Sequence, residues 1–368
     1  MRSFFLLIVF FFITFLSSAQ QRNCGTMQYL EYSFENNQNL ENSMIENEIA
    51  LQNLIQKQAT AKSINSVILT IPVVVHVIWH TNSENISDAQ IQSQIDVLNE
   101  DFRMLNADTT NIPSAFQSLA ADCEIEFCLA TTDPNGNSTT GITRTATFQS
   151  SFSINNDAVK YSSLGGVDPW NTLEYLNIWV CNISEGVLGY AQFPGGNSST
   201  DGVVCHYNYF GNIGTATSPF DLGRTATHEV GHYLNLSHIW GDSDCGNDYC
   251  NDTPVQFGLN YGCPSYPSTS NCSDNVSNGD MFMNYMDYTN DACMYMFSND
   301  QKTRMFATLN TTRSGLLTSN GCQSSISGCT DSTANNYDGL ATNDDGSCTY
   351  TVCDAKPTGL NAYDITDT

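Results

Sequence analysis

The sequence predicts an α+β fold: a sheet flanked by helices over roughly residues 62–220, followed by an irregular, cysteine-rich region. Two observations support this. Runs rich in β-branched residues alternate with amphipathic helical segments in the first half, and Gly, Asn, Asp, Ser and Cys dominate after about residue 240. At 368 residues, the chain holds one large domain with appendages, or two domains.

The elements follow in order. Residues 20–61 are polar and contain one amphipathic helix, too small to fold alone, whose apolar positions are Leu40, Met44, Ile45, Leu51, Leu54 and Ile55. The run ILTIPVVVHVIW at 68–79 predicts a buried strand. Ser87 then caps a helix with an apolar stripe at turn spacing, made of Ile91, Ile95, Leu98 and Phe102. Further strands are predicted at 123–130, 175–183 and 202–209.

Charge, cysteine content and the N-terminus predict a secreted protein. Twelve Lys and Arg against 38 Asp and Glu give a net charge of −26, which excludes sequence-independent binding of nucleic acid. Fourteen cysteines without a CxxC pair favour disulfides and an oxidising compartment. Residues 1–19 carry Arg2, an apolar run and then small residues, as a signal peptide does. The alternative is a membrane anchor, but the run is shorter than the roughly 20 residues of a spanning helix. No membrane span is expected after signal removal.

The segment THEVGHYLNLSHIW at 227–240 predicts a metal site. His228 and His232, four residues apart, share one helix face, and Glu229 lies between them. Two such histidines bind zinc while the glutamate accepts a proton from the metal-bound water. His238 joins them only if the chain turns sharply, and Asn235 stands where a residue tolerant of positive φ is needed. Three histidines leave a fourth position open, as in catalytic zinc sites. The alternative is a chance HExxH on a buried helix. The remaining histidines, His76, His80 and His206, lie in or beside predicted strands and are expected to be ordinary packed or surface residues.

The motif HExxHxxxxxH resembles that of the metzincin metallopeptidases, although Asn235 replaces the usual glycine. Downstream, MNYMDYTNDACMYMF at 283–297 resembles the Met-turn of the pappalysin group within that family. The resemblance covers roughly residues 65–320. It implies a twisted sheet with an active-site helix and a backing helix, and an irregular, disulfide-rich C-terminal subdomain.

The resemblance also implies a role for each site residue. Met286 would be the hydrophobic base beneath the imidazoles, although simple core packing would also explain it, and Tyr288 would hydrogen-bond the tetrahedral intermediate. Zinc lowers the pKa of bound water from about 15.7 towards 7. Glu229 would take the proton and pass it to the departing amine.

Further implications concern disulfides and a second metal. The resemblance suggests the pairs Cys245–Cys272 and Cys263–Cys293. Cys329–Cys348 would close a C-terminal repeat, and Cys181–Cys205 could tie two strands.

Residues 241–254 carry Asp242, Asp244, Asp248 and Asp252, and hard cations with oxygen ligands would relieve their repulsion. Pappalysins hold calcium near this place, which nominates Asp248 and Thr253 as structural Ca²⁺ ligands. The alternative is a solvated acidic loop.

The predicted domains are a signal peptide (1–19), a propeptide (20–61), a catalytic domain (62–323), a short Cys-bounded, Asp-rich repeat (326–351), and the start of a β-module or a tail (352–368). The repeat is a disulfide-stapled spacer or binds carbohydrate or calcium.

Cys24 lies outside every plausible disulfide pair, and its thiolate could ligate zinc in a latent form. The alternative is an unpaired or differently paired thiol.

Specificity is predicted from Asp291. In metzincins the segment after the Met-turn walls the pocket for P1′, the residue just after the cleaved bond. A carboxylate there favours a cation, with Arg ahead of Lys because of its bidentate geometry. The alternatives are that Asp291 caps a turn or joins the calcium shell and leaves an apolar pocket. The same preference nominates the Ala61–Lys62 or Gln56–Lys57 bond for self-removal of the propeptide.

The predicted function is therefore a secreted zinc endopeptidase, made as a zymogen, that acts on proteins or peptides and cuts before Arg or Lys. Two alternatives remain: a metzincin with apolar P1′ specificity, and a secreted binding or adhesion protein with a vestigial protease domain.

Overall fold

A computed structural model describes residues 20–60, 67–272, 278–323, 327–341 and 343–351. The helices α1 to α5 are Thr26–Asn36, Leu40–Thr60, Asp88–Phe102, Arg224–Tyr233 and Asn299–Leu309. The strands β1 to β8 are Leu69–Trp79, Ile125–Leu129, Ile142–Ala146, Leu176–Cys181, Gly189–Ala191, Val203–His206, Ser327–Gly328 and Asn343–Asp344. The segments assigned to the signal peptide (1–19) and the C-terminal tail (352–368) lie outside the described residues.

A twisted, mixed, six-stranded sheet forms the centre of the fold. Its order is β2-β1-β4-β6-β5, and β3 also pairs with β1. The long strand β1 pairs with β2 through Leu69–Val73 and with β3 through Val75–Trp79. All pairs are parallel except β5 with β6, so β5 is an antiparallel edge strand. Parallel strands are covered on both faces, which explains the continuous apolar run of β1.

The two faces of the sheet belong to two hydrophobic clusters. Val73, Val75 and Val77 of β1 lie in the larger cluster, together with residues of α3, α4 and the segment around Met286. Ile78 lies on the opposite face, packed with residues of β4, β6 and α1. Helix α3 begins as predicted, because Ser87 Oγ accepts a hydrogen bond from the Gln90 N–H (3.2 Å).

The predicted strands at 68–79, 123–130, 175–183 and 202–209 are confirmed as β1, β2, β4 and β6. Strands β3 and β5 were not predicted. β5 is only three residues long, too short for a recognisable alternation of apolar and polar residues.

The N-terminal segment, residues 20–60, contains two helices where the sequence predicted one. The predicted helix is α2, which packs on α5 and buries Leu40 and Leu51. Helix α1 is rich in tyrosine and phenylalanine, which are not strong helix formers. It forms because the rest of the fold packs against it, chiefly through buried Tyr29.

Three predicted disulfides are confirmed: Cys245–Cys272, Cys263–Cys293 and Cys329–Cys348. The predicted pair Cys181–Cys205 is wrong. In the register of β4 and β6, Cys205 lies opposite Val180, so Cys181 points to the other face of the sheet. Both thiols are buried and free.

A fourth disulfide, Cys128–Cys322, ties β2 to the segment after α5 across a sequence separation of 194 residues. Cys329–Cys348 lies beside β7 and β8, which form a separate two-stranded sheet. Among the residues described, no helix is both long and apolar enough to cross a membrane.

Candidate active site

Helix α4 positions the two histidines of the HExxH motif. All ten of its residues are buried between the sheet and the segment that contains Met286. The chain leaves the helix through Asn235, whose φ is 72°, as the sequence predicted. This left-handed turn brings His238 back towards the helix, so that all three predicted imidazoles meet.

The three imidazoles converge through their Nε2 atoms. His232 Nε2 lies 3.2 Å from His228 Nε2 and 3.1 Å from His238 Nε2. Each Nδ1 faces a group that can only accept a hydrogen bond. His228 Nδ1 faces the Tyr285 carbonyl (2.7 Å), His232 Nδ1 the Leu236 carbonyl (2.7 Å) and His238 Nδ1 the Asp242 carboxylate (2.5 Å). The protons therefore sit on Nδ1, and three Nε2 lone pairs point at one another.

Three lone pairs at this separation repel one another unless a cation lies between them. Burial and the neighbouring imidazoles hold the pKa values of His228 and His232 well below their usual range, so protonation does not supply that cation. Neutral imidazoles are the form that binds zinc. The site therefore fits a Zn²⁺ ion.

Glu229 lies beside the histidines, opposite β5. Its Oε2 atom accepts hydrogen bonds from Thr26 Oγ1 (2.9 Å) and Cys24 Sγ (3.4 Å). Burial raises the pKa of Glu229 to about 7. There is no room for a side chain at Gly189 of β5, because a Cβ at this position would lie 2.9 Å from Glu229 Cγ.

Tyr288 contacts two of the imidazoles, and Met286 packs against α4 at Gly231. The Met286 sulfur lies only 2.5 Å from where a Cβ would be at Gly231, so it fits under α4 because residue 231 is glycine. The Tyr288 ring meets the rings of His228 and His238 edge to face, at centroid distances of 5.8 and 4.9 Å. Its hydroxyl donates to the Cys24 carbonyl (3.4 Å).

The N-terminal segment enters this site at Cys24. One potential ligand atom from each of Cys24, His228, His232 and His238 lies within 4.8 Å of all the others. Burial and the nearby Glu229 charge raise the pKa of the Cys24 thiol. The segment is held along β5 by hydrogen bonds from Gly25 N–H to the Gly189 carbonyl (2.8 Å) and from Leu188 N–H to the Asn23 carbonyl (2.9 Å).

Two residues before Cys24, Arg22 meets Asp291 in a buried ion pair. Arg22 Nη2 lies 2.5 Å from Asp291 Oδ1, and the two side chains are 2% and 0% exposed. Arg22 Nε donates to the Thr289 carbonyl (3.1 Å), and the guanidinium lies 4.9 Å from the centre of the Phe220 ring. Asp291 Oδ2 also accepts from the backbone N–H groups of Leu222 and Arg224.

Comparison with known proteins identifies the family. The peptidase M43 family, described as "Pregnancy-associated plasma protein-A", matches residues 162–310. An extracellular metalloprotease of Arthroderma gypseum is 31% identical over 308 residues, which are 80% of this chain and 86% of that protein. The chain belongs to the pappalysin family. It is therefore a zinc metalloendopeptidase with the metzincin-type fold.

Solved structures of pappalysins agree with this assignment. A mutant of Tannerella forsythia promirolysin is 50% identical, with a TM-score of 0.73, and the match covers 81% of this chain and 97% of that one. Tannerella forsythia mature mirolysin in complex with a cleaved peptide is 57% identical, with a TM-score of 0.66, over 68% of this chain and 95% of that one.

The acidic loop of this pappalysin does not gather its carboxylates at one point. Asp242 holds His238, whereas Asp252 accepts from Ser298 Oγ (2.7 Å) at the start of α5. Asp248 and Thr253 do meet, with Thr253 Oγ1 2.8 Å from Asp248 Oδ2. Burial raises the pKa of Asp248 to about 6.

Sequence reasoning missed three contributors to the site. Asp242 orients His238 from four residues downstream, a spacing that could have signalled it. Arg22 stands close to Cys24 in a segment with few basic residues, yet its partner is 269 residues away. Gly189 gave no signal, because its importance comes from its contact with Glu229. His76 is a packed residue as predicted, fully buried between Thr143 and Asn177.

Proposed function

We propose that this pappalysin is secreted as a latent zymogen and, once activated, cleaves peptide bonds before arginine, with lysine second. The observation that carries the proposal is the placement of Arg22 on Asp291 beside Cys24 at the histidine cluster. The relatives' description as extracellular metalloproteases supports secretion, and residues 1–19 would be the signal peptide.

The zinc ligands in this proposal are His228, His232 and His238. Zinc, when bound, supplies a Lewis acid that polarises the peptide carbonyl and lowers the pKa of a coordinated water. Glu229 acts as the general base and then carries the proton to the departing amine. With the N-terminal segment in place, burial raises the pKa of Glu229, the direction that favours a carboxylate able to hold the proton that it takes from water. The hydroxyl of Tyr288, whose ring packs on His238, would donate to the developing oxyanion. Met286 would support the imidazoles from below.

Latency is proposed to come from Cys24. Its sulfur lies within reach of the zinc position, where a thiolate would replace the attacking water. A bound metal also favours loss of the thiol proton. Thr26 and Cys24 together occupy the carboxylate oxygen of Glu229 that would receive the water proton. Water is thus kept from both the zinc and the base.

Specificity is proposed to come from Asp291. In the latent form Arg22 supplies the guanidinium that we expect from a substrate's P1′ arginine, and the contact is buried and charge-assisted. The backbone contacts of Asp291 with Leu222 and Arg224 use its other oxygen, so they hold the carboxylate in place for a ligand. An apolar pocket, the alternative, is less consistent with a buried carboxylate at its base.

The proposed domains are a propeptide at 20–61, the catalytic domain at 62–323, the repeat at 326–351 and a tail at 352–368. Of the two self-cleavage bonds, we favour Ala61–Lys62. Gln56–Lys57 lies inside α2, which would have to unwind before this bond could enter a cleft in extended form.

A structural Ca²⁺ at Asp248 and Thr253 is supported by their contact and by the burial of Asp248.

Cleavage-site profiling on a denatured proteome, with and without a zinc chelator, tests the proposal. We expect arginine to dominate at P1′ and the chelator to abolish cleavage. Leucine or phenylalanine at P1′ would instead support the apolar alternative. Absence of any cleavage by a zinc-loaded sample free of residues 20–61 would support a vestigial domain in a binding protein.

Replacing Cys24 with alanine is expected to speed activation of the zymogen. Breaking the Cys24–zinc contact is part of the activation barrier, and removing about 1.4 kcal/mol of it would accelerate activation about tenfold. The measurement is the rate at which purified zymogen gains peptidase activity and loses its N-terminal segment. Cys123→Ala, another buried free thiol, is the matched control and should leave the rate unchanged. Equal activation of Cys24→Ala and wild type would contradict this role.

A further inference from the structure

Arg304 of α5 is held by the N-terminal segment in a second ion pair, separate from the one at Asp291, in which Arg304 is buried and Glu48 is partly exposed. Its Nη1 and Nη2 atoms donate to Glu48 Oε1 (2.9 Å) and Oε2 (3.0 Å), and Nη2 also donates to the Asn235 carbonyl (3.2 Å). The Arg304 side chain is only 3% exposed. Its Nε atom has no hydrogen-bond partner among the described residues.

The contact is a two-pronged fit of guanidinium to carboxylate, the geometry in which arginine recognises carboxylates most specifically. Burial opposes ionisation of Glu48, but the hydrogen bonds and charge of Arg304 outweigh it, so the pKa of Glu48 is lowered. The guanidinium also lies 5.2 Å from the centre of the Tyr249 ring. Arg304 is therefore an established carboxylate-binding group in the latent protein.

Removal of residues 20–60 would leave this group open. A cavity of about 360 Å³ separates helices α1 and α2 from the catalytic domain. On the side of the catalytic domain it is lined by Phe193, Asn235, Ser237, Asp242, Tyr249 and Arg304. Two carboxylates of the catalytic domain that lie close to Arg304 have other partners. Asp242, which lines the same cavity, holds His238, and Asp248, whose charge interacts with Arg304, accepts from Thr253. Without Glu48, the described residues offer Arg304 no hydrogen-bonded carboxylate, which is unfavourable for a cation that remains partly buried.

The direction of the cleft places Arg304 relative to a substrate. The N-terminal segment runs from Arg22 at Asp291, through Cys24 at the histidines, to Tyr29 near Gln192. If Asp291 binds the residue just after the cleaved bond, the residues before that bond extend from the histidines towards the position of α1 and α2. Arg304 contacts the carbonyl of Asn235, three residues from both His232 and His238, on that side.

We propose that Arg304 forms a subsite of the activated enzyme that selects a substrate carboxylate, from Glu or Asp, on the N-terminal side of the cleaved bond. The proposal rests on the proposed cleavage before arginine. The two sites together favour segments with an acidic side chain upstream and an arginine at P1′. The substrate thereby replaces both contacts, Glu48 and Arg22, that the N-terminal segment makes in the latent form.

Paired peptides test the subsite on the activated enzyme. Every peptide carries arginine at P1′, and a glutamate or a glutamine is moved one position at a time through the residues before the cleaved bond. We expect one position at which glutamate raises kcat/KM about tenfold over glutamine, a difference of about 1.4 kcal/mol. In Arg304→Gln this ratio should fall to one, in Arg304→Lys part of it should remain, and Arg304→Glu should instead favour lysine at that position.

The matched control is Arg103→Gln. Arg103 also pairs with carboxylates, Asp122 and Glu126, but beside β2, so its replacement should leave the glutamate preference intact. Equal cleavage of glutamate and glutamine peptides by wild type would overturn the subsite, as would a preference that survives in Arg304→Gln. In either case, cleavage before arginine would still stand, whereas failure to cleave any of these peptides would contradict the proposed function itself.

Discussion

Replacing Glu229 with alanine is expected to leave zinc bound and to reduce kcat/KM about 10³-fold on a peptide with arginine at P1′. The substitution removes the only proposed proton acceptor and none of the proposed zinc ligands. Glu229 lies on α4 between His228 and His232, and its oxygen faces Thr26 and Cys24 rather than the imidazoles. The measurements are kcat/KM, the zinc content per chain and the melting temperature.

Glu100→Ala serves as the control for that variant, because Glu100 is an exposed carboxylate on α3. It should retain both zinc and activity. Turnover by Glu229→Ala within about tenfold of wild type would rule out a general base at this position, since general acid–base catalysis contributes at least about 10². Loss of zinc together with activity would instead indicate that Glu229 mainly supports the metal site.

The second large effect is expected from Asp291→Asn in the activated enzyme. Truncating one partner of a buried, hydrogen-bonded charge pair costs about 2–5 kcal/mol, which corresponds to a loss of about 30-fold or more in kcat/KM for arginine at P1′. Asparagine keeps the shape of the side chain and one oxygen that can accept from Leu222 and Arg224. The loss should therefore fall on arginine and lysine peptides.

The measurement is kcat/KM for peptides that differ only at P1′: arginine, lysine and leucine. Wild type should rank them in that order, and Asp291→Asn should lose the preference while keeping its zinc. Asp96→Asn, an exposed aspartate on α3, is the control. An unchanged arginine preference in Asp291→Asn would mean that Asp291 only holds the backbone at the start of α4.

The metal-binding motif could be predicted from the sequence because its geometry is local. The spacing of His228 and His232 fixes a shared helix face, and Asn235 marks the turn that returns His238 to them. Four strands and the cap at Ser87 were predicted for the same reason: alternation and capping act over a few residues.

Predictions that relied on distant partners were less secure. The pair Cys181–Cys205 failed because the register of β4 and β6 places the two side chains on opposite faces, and register is not visible in either strand alone. The disulfide Cys128–Cys322 joins residues 194 apart and was missed. The acidic loop suggested one cluster, yet packing directs Asp242 to His238 and Asp252 to α5.

The sequence by itself determined the zinc motif, the apolar strands and the acidic, cysteine-rich character of the chain. The tertiary structure alone decided how the N-terminal segment meets the rest of the protein. Arg22 reaches Asp291 across 269 residues, and Glu48 reaches Arg304 across 256. Such ion pairs form only when tertiary packing brings both partners to one place, and no local spacing rule relates residues so far apart.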